Sequence, residues 1–149
     1  MIALGCDHAG FALMQDVKVY LDSIGKSYKD FGTYNEESCN YPEFGTYAAR
    51  AVSEGVCEMG ILICGTGVGM SLTANKIPRI RAALCRDLFT TEMTRLHNDS
   101  NILVLGARVM EKELALEIVD MFLRTGFEGG RHAERVKMIA DLEVGWGTN

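Results

Sequence analysis

Five mainly apolar runs, the second of them more polar, alternate along this chain with stretches of helical period. Ile61 to Ile63 carries the continuous apolar character of a strand buried on both faces of a parallel sheet, Met1 to Cys6 is an apolar first strand, and Ile80 to Leu84 and Asn101 to Leu105 read as the fourth and fifth strands. Ser27 to Phe31 is shorter and more polar, as a strand nearer a sheet edge would be. Between them, Phe11, Met14, Val17 and Leu21 recur at three- and four-residue spacing and predict a helix from about Phe11 to Ile24, stopped by Gly25. Pro42 is placed to open a second helix running to about Ser53, with Tyr47, Ala48, Ala51 and Val52 inward. Met70 to Lys76, Leu88 to about Leu96, Lys112 to Leu123, and a last helix reaching about Glu143 complete the set. Gly145 to Asn149 reads as a frayed tail, and Trp146 as a residue that packs the tail or a partner.

Strands alternating with helices imply right-handed crossovers and a doubly wound, Rossmann-like α/β fold with a five-stranded parallel sheet and a C-terminal helix. The order 2-1-3-4-5 is expected, and residues 1–149 read as a single domain. Ligands of such sheets sit beyond the carboxyl ends of strands, near the topological switch point. Polar groups fall there on schedule: Asp7-His8 after the first strand, Cys64 to Gly69 after the third, Arg108 after the fifth.

The stretch from Gly60 to Lys76 is the centre of this pattern, a strand, a glycine loop (Gly65-Thr66-Gly67-Val68-Gly69) and a helix. A helix N-terminus leaves backbone N–H groups unpaired, and glycines let the chain curl around an anion. Cys64 stands at the lip of this cradle, where a thiol is expected to be acidified and usable as a base. A tight turn with a buried structural Cys is the plainer alternative. The P-loop signature fails for want of a Lys-Ser or Lys-Thr pair, and the dinucleotide fingerprint breaks at Met70.

Composition narrows the field. A formal charge of −5 argues against nonspecific binding to nucleic acid or anionic membrane. No apolar run approaches the roughly 20 residues of a membrane span. Five cysteines without a paired framework suggest reduced thiols and a cytoplasmic setting. The scattered His and Cys lack zinc-site spacing, so no metal is expected, and the sequence offers no cofactor site.

Each remaining polar feature has an ordinary reading as well. Asp7 could cap a helix beside an incidental His8; His97 could be a helix C-cap; Arg131 and Arg135, one turn apart, could be a solvated face or could grip a phosphate. As a set, an anion loop, a thiol, an imidazole and several arginines suit proton transfer beside the carbonyl of a phosphorylated substrate.

The whole set resembles a known family. Cys6-Asp7-His8-Ala9-Gly10, the ILICGTGVGMS run with Ala74-Asn75-Lys76, His97-Asn98-Asp99-x-Asn101, and Gly129-Gly130-Arg131-His132-x-x-Arg135-Val136 resemble type B ribose-5-phosphate isomerases, in the same order and across the chain. That family includes the galactose-6-phosphate isomerase subunits. The resemblance implies a cofactor-free isomerase interconverting ribose 5-phosphate and ribulose 5-phosphate through an enediolate. By this likeness Cys64 is the base between C2 and C1, and Thr66 assists proton movement between the sugar oxygens. The backbone of Gly65, Thr66, Gly67, Val68 and Gly69 holds the enediolate oxygen. His97 opens the furanose ring, Asp7 lies near that ring, and Asn98 touches the sugar. His8, Arg108, Arg131 and Arg135 form the phosphate pocket.

Another branch of the family carries a Glu base where this chain has Met70, which puts the chain with the Cys branch. The family's site lies between two subunits, so a homodimer or a tetramer is implied. Asn40 stands where relatives often have Asp, and a neutral Asn cannot serve as a carboxylate. Two other readings remain: a six-carbon isomerase for allose 6-phosphate or galactose 6-phosphate, and a non-catalytic sugar-phosphate sensor. A sensor has no use for Cys64 together with Thr66 and His97.

Overall fold

A computed structural model describes residues 1–145. The strands are β1 (Ile2–Cys6), β2 (Tyr28–Asp30), β3 (Met59–Cys64), β4 (Ala82–Leu84) and β5 (Ile102–Gly106). The helices are α1 (Phe11–Ser23), α2 (Tyr41–Ser53), α3 (Val68–Ala74), α4 (Leu88–Asn98), α5 (Lys112–Arg124) and α6 (Arg131–Gly145). All strand pairs are parallel.

The order is β2-β1-β3-β5-β4, which corrects the expected order at its last two strands. Burial explains the exchange. Every residue of β5 is buried, whereas β4 has three residues, all half-buried. The fully apolar strand takes the interior place beside β3, and the short one takes the edge. The exchange moves a helix too. A right-handed crossover running from β4 back to β5 puts α4 on the same face as α1, opposite α2 and α3.

The core accordingly has two sides. Ile2, Leu4, Ile61, Ile63, Leu103 and Leu105 pack toward α1 and α5, against Met14, Val17, Ile118 and Phe122. Ala3, Leu62, Cys64, Ile102 and Val104 pack toward α2 and α3, against Ala48, Val52, Met70 and Ala74. The period-two alternation divides each strand between the two sides, so continuous apolar runs are needed.

Three local expectations change. Tyr47 faces outward at 48% exposure, while Ala48, Ala51 and Val52 are buried as expected. Helix α3 begins at Val68 and ends at Ala74, two residues before the expected limits at each end. Helix α6 continues through Gly145, so the expected tail starts no earlier than Trp146, which lies outside the described residues.

Candidate active site

The chain leaves β1 and β3 in opposite directions, toward β2 and toward β4, so a crevice opens where these neighbours end. Cys64, the last residue of β3, is 4% exposed and packs among Met70, Ala48 and Leu62. Its carbonyl accepts from the Ala107 N–H at 2.9 Å, and the Gly65 carbonyl accepts from the Arg108 N–H at 2.9 Å. The β5 turn is therefore tied directly to the loop. The Arg108 guanidinium lies over Gly65, where a Cβ would come within 3.3 Å of Nη1. The interior position of β5 makes this approach; at the sheet edge Arg108 would lie one strand away.

The loop is shaped by its glycines. Gly67 sits in the left-handed region, φ 84°, as the N-cap of α3. The Val68 N–H donates to Thr66 Oγ1 at 3.3 Å, and the Ser71 N–H takes the Gly67 carbonyl at 3.0 Å. Helix geometry gives the Gly69 and Met70 N–H groups no carbonyl within α3. Thr66 is exposed, and Gly69 lies against the Tyr41 ring. A Cβ on Gly67 would collide with Leu84 Cδ1 and reach 3.1 Å from the Leu105 carbonyl carbon. We expect Gly67→Ala to lower stability by about 1–3 kcal/mol in denaturant titration. Gly126, with open space around its Cα, should tolerate Ala within about 0.5 kcal/mol.

Across the crevice, Asp7 is buried, and its Oδ1 accepts from the Gly10 N–H at 3.0 Å. This bond closes the turn ahead of α1, whose N-cap is Gly10 without a side-chain cap bond, so Asp7 is not the helix cap of the plainer reading. His8 is half-buried, and its Nδ1 accepts from the Cys39 N–H at 3.3 Å, with Cys39 Sγ at 3.8 Å. That bond occupies Nδ1 as an acceptor, the tautomer with its proton on Nε2. Asn40 is exposed and makes no side-chain cap bond to α2.

The other expected site residues form a second cluster. His97 and Asn98 end α4, and Arg131 and Arg135 lie exposed on α6. The Gly60 N–H donates to the Asn101 carbonyl at 2.9 Å, so this corner borders the beginning of β3. Cys64 stands at the far end of that strand, roughly 17 Å away at about 3.3 Å per residue. One chain brings Asp7, His8, Cys64 to Gly69 and Arg108 together, and holds His97, Asn98, Arg131 and Arg135 apart from them.

The second cluster is rigidly built. Asp99, at φ 46°, is clamped by two arginines: Arg95 Nη1 reaches Asp99 Oδ1 at 3.2 Å, and Arg81 Nη2 reaches its carbonyl at 2.7 Å. Buried Arg95 also donates to the Thr125 carbonyl at 3.1 Å and lies over the Phe122 ring. Arg81 Nε donates to the Asn98 carbonyl at 3.0 Å. His97 stacks on His132, with ring centroids 4.0 Å apart and planes 11° from parallel. Glu128 Oε2 lies 3.7 Å from His97 Nε2 and 3.8 Å from His132 Nε2.

Comparison with known proteins gives this arrangement its lineage. Residues 2–139 match the model of a family described as Ribose/Galactose Isomerase. The chain belongs to that family. Ribose-5-phosphate isomerase B of Escherichia coli is 45% identical over 95% of both chains. The solved structure of Clostridium thermocellum ribose-5-phosphate isomerase B is 48% identical, with a TM-score of 0.96 over 98% of this chain and 99% of that one. A ribose 5-phosphate isomerase from Thermotoga maritima is 46% identical, with a TM-score of 0.91 over 94% and 97%.

Sequence reasoning passed over several residues of this isomerase's candidate site. Cys39 is one of them, and the loop that brings it to His8 carries no periodic signal. Glu128, His132, Arg81 and Arg95 support the His97 corner, and only the Arg95–Asp99 spacing of four residues hinted at it.

Proposed function

We propose that this protein is an aldose–ketose isomerase that interconverts ribose 5-phosphate and ribulose 5-phosphate in the cytoplasm, as part of the pentose phosphate pathway. The observation that carries the proposal is Cys64, enclosed at the end of β3 beneath a glycine loop and within the crevice shared with Asp7 and His8. The Cys64 thiolate takes the proton from C2 of the open-chain aldose and returns it to C1. Electrons from the C2–H bond move toward O1 as the enediolate forms. Backbone N–H groups between Gly65 and Gly69 hold that oxyanion, and the Thr66 hydroxyl moves the proton between O1 and O2.

The remaining groups come from a second copy. We infer a homodimer in which His97 of the partner subunit opens the furanose ring and the partner's Asn98 contacts the sugar. The phosphate is held by His8 and Arg108 with the partner's Arg131 and Arg135. Separation of the two clusters by the length of β3 supports this. So do the exposed apolar residues near each cluster: Val68 and Leu72 on α3 at 50% and 63%, Met138 and Leu142 on α6 at 63% and 62%. Such residues suit a buried surface. Five free cysteines suit a reducing compartment, and among the described residues no helix is long and apolar enough to cross a membrane.

The test is a coupled assay in EDTA comparing ribose 5-phosphate, allose 6-phosphate and galactose 6-phosphate. We expect kcat/KM to favour ribose 5-phosphate by at least about tenfold, the order that one misplaced carbon costs a fitted site. A six-carbon preference would keep the chemistry and overturn the substrate.

A further inference from the structure

His132 and Glu128 have no part in the chemistry described above, yet His132 stacks on His97 and Glu128 lies 3.7 Å from its Nε2. The three side chains come from two places in the sequence: His97 from the last turn of α4, Glu128 and His132 from the turn into α6. The turn is pinned to α4, because the Glu128 N–H donates to the Leu96 carbonyl at 3.0 Å. His132 is 5% exposed, whereas His97 is half-buried. A buried ring therefore backs a ring that is open on its other side.

We propose that His132 and Glu128 are positioning residues for His97: the buried imidazole fixes the plane of the open one, and the carboxylate supplies the counter-charge for its protonated form. The inference rests on His97 being the ring-opening group. In that step the C1–O4 bond breaks and O4 gains the proton that His97 delivers. The anomeric hydroxyl gives its proton to water, and its O–H electrons become the second bond of the C1 carbonyl. A proton donor must be held in line with O4 and must carry its proton before it acts.

A lone imidazole at a helix end turns about two side-chain bonds. Stacking at 4.0 Å and 11° fixes the plane of the ring. Two charged imidazoles at that separation would repel, and Glu128 lies beside both rings to offset a single charge. The pKa of His132 is lowered by burial first and then by His97, with Arg131 and Arg135 adding to the effect and Glu128 opposing it. Burial and the neighbouring cations make His132 the ring less suited to carry charge. The three donor atoms lie within 4.8 Å of one another, close enough to suggest a cation site. Near-parallel rings argue for the stack instead, since their in-plane lone pairs do not converge on one point.

The chemistry of the two sugars separates ring opening from proton transfer. Ribose 5-phosphate closes a five-membered ring through O4. Ribulose 5-phosphate cannot, because its O5 carries the phosphate. Isomerisation of ribose 5-phosphate therefore needs ring opening, whereas exchange of solvent deuterium into ribulose 5-phosphate needs only the Cys64 chemistry. Both rates would be measured on the full-length protein and on His132→Ala, His132→Phe and Glu128→Gln, with His97→Asn as reference and thermal melts as a check on folding.

We expect His132→Ala and Glu128→Gln to lower kcat on ribose 5-phosphate at least about tenfold, part of the roughly 10²–10⁴-fold that acid–base catalysis supplies, with deuterium exchange far less affected. His132→Phe keeps a stacking ring and should recover most of what His132→Ala loses. If His97→Asn separates the two rates and the His132 and Glu128 variants do not, the positioning role is overturned and the ring-opening role stands. If His97→Asn fails to separate them, the ring-opening role falls and takes the positioning role with it. Equal slowing of both rates in a folded Glu128→Gln protein also overturns the proposal.

Discussion

Mixing two nearly inactive variants, Cys64→Ala and the double variant His97→Asn/Arg135→Ala, should restore about a quarter of wild-type activity once subunits have exchanged. In a closed two-fold dimer each site takes one cluster from each chain. Random reassortment makes about half of the dimers mixed, and each mixed dimer has one intact site and one doubly damaged site. The expectation comes from the fold: β3 separates Cys64 from the corner holding His97, and α4 and β5 are packed too tightly for either end to cross that distance. Denaturing and refolding the mixture ensures exchange, and turnover of ribose 5-phosphate is the readout. Recovery no greater than the sum of the separate variants would mean that each chain works alone, and the shared site would have to be abandoned.

Replacing Cys64 alone should lower kcat by about 10³-fold or more while leaving the fold intact. Cys64 ends β3 beside the loop whose N–H groups would hold the enediolate, the place a base must occupy to move a carbon-bound proton, and such a base supplies roughly 10²–10⁴-fold by itself. The structural loss is small by comparison. Ala at this position removes one sulfur atom from a packed cluster, comparable to deleting a methylene, with an expected cost of about 0.5–1.5 kcal/mol. Circular dichroism and a thermal melt should therefore show a folded protein whose turnover has nearly vanished. Substantial activity in Cys64→Ala would overturn the assignment of the base, and loss of the fold would make Cys64 a structural residue, as the plainer reading of the turn has it.

Much of this was legible from the order of residues. The apolar runs that mark β1, β3 and β5 are buried on both faces, and only a strand between two helix layers needs that pattern. The glycine loop followed from Gly65, Gly67 and Gly69 closing a strand, because few other residues let the backbone turn there. Asp7, His8 and Arg108 were expected beyond strand ends, and the structure has them there.

Tertiary structure decided what local pattern does not encode. Strand order depends on how much surface each strand can bury between two layers, a comparison made across the sheet. The rule that neighbours in sequence pair in space favours β3 beside β4, and the greater burial of β5 overrides it. That exchange lays Arg108 over Gly65 and sends α4 to the face of α1. His97 lies at the opposite end of the sheet from Cys64 because a helix returning to the start of β5 ends there in any parallel order, and tertiary packing brings it into contact with His132 and Glu128. The sequence determined which chemical groups this protein carries and that they lie at chain turns. Which of them meet within one chain, and which must wait for a second, was decided by packing, because proximity across a sheet is a property of the whole core.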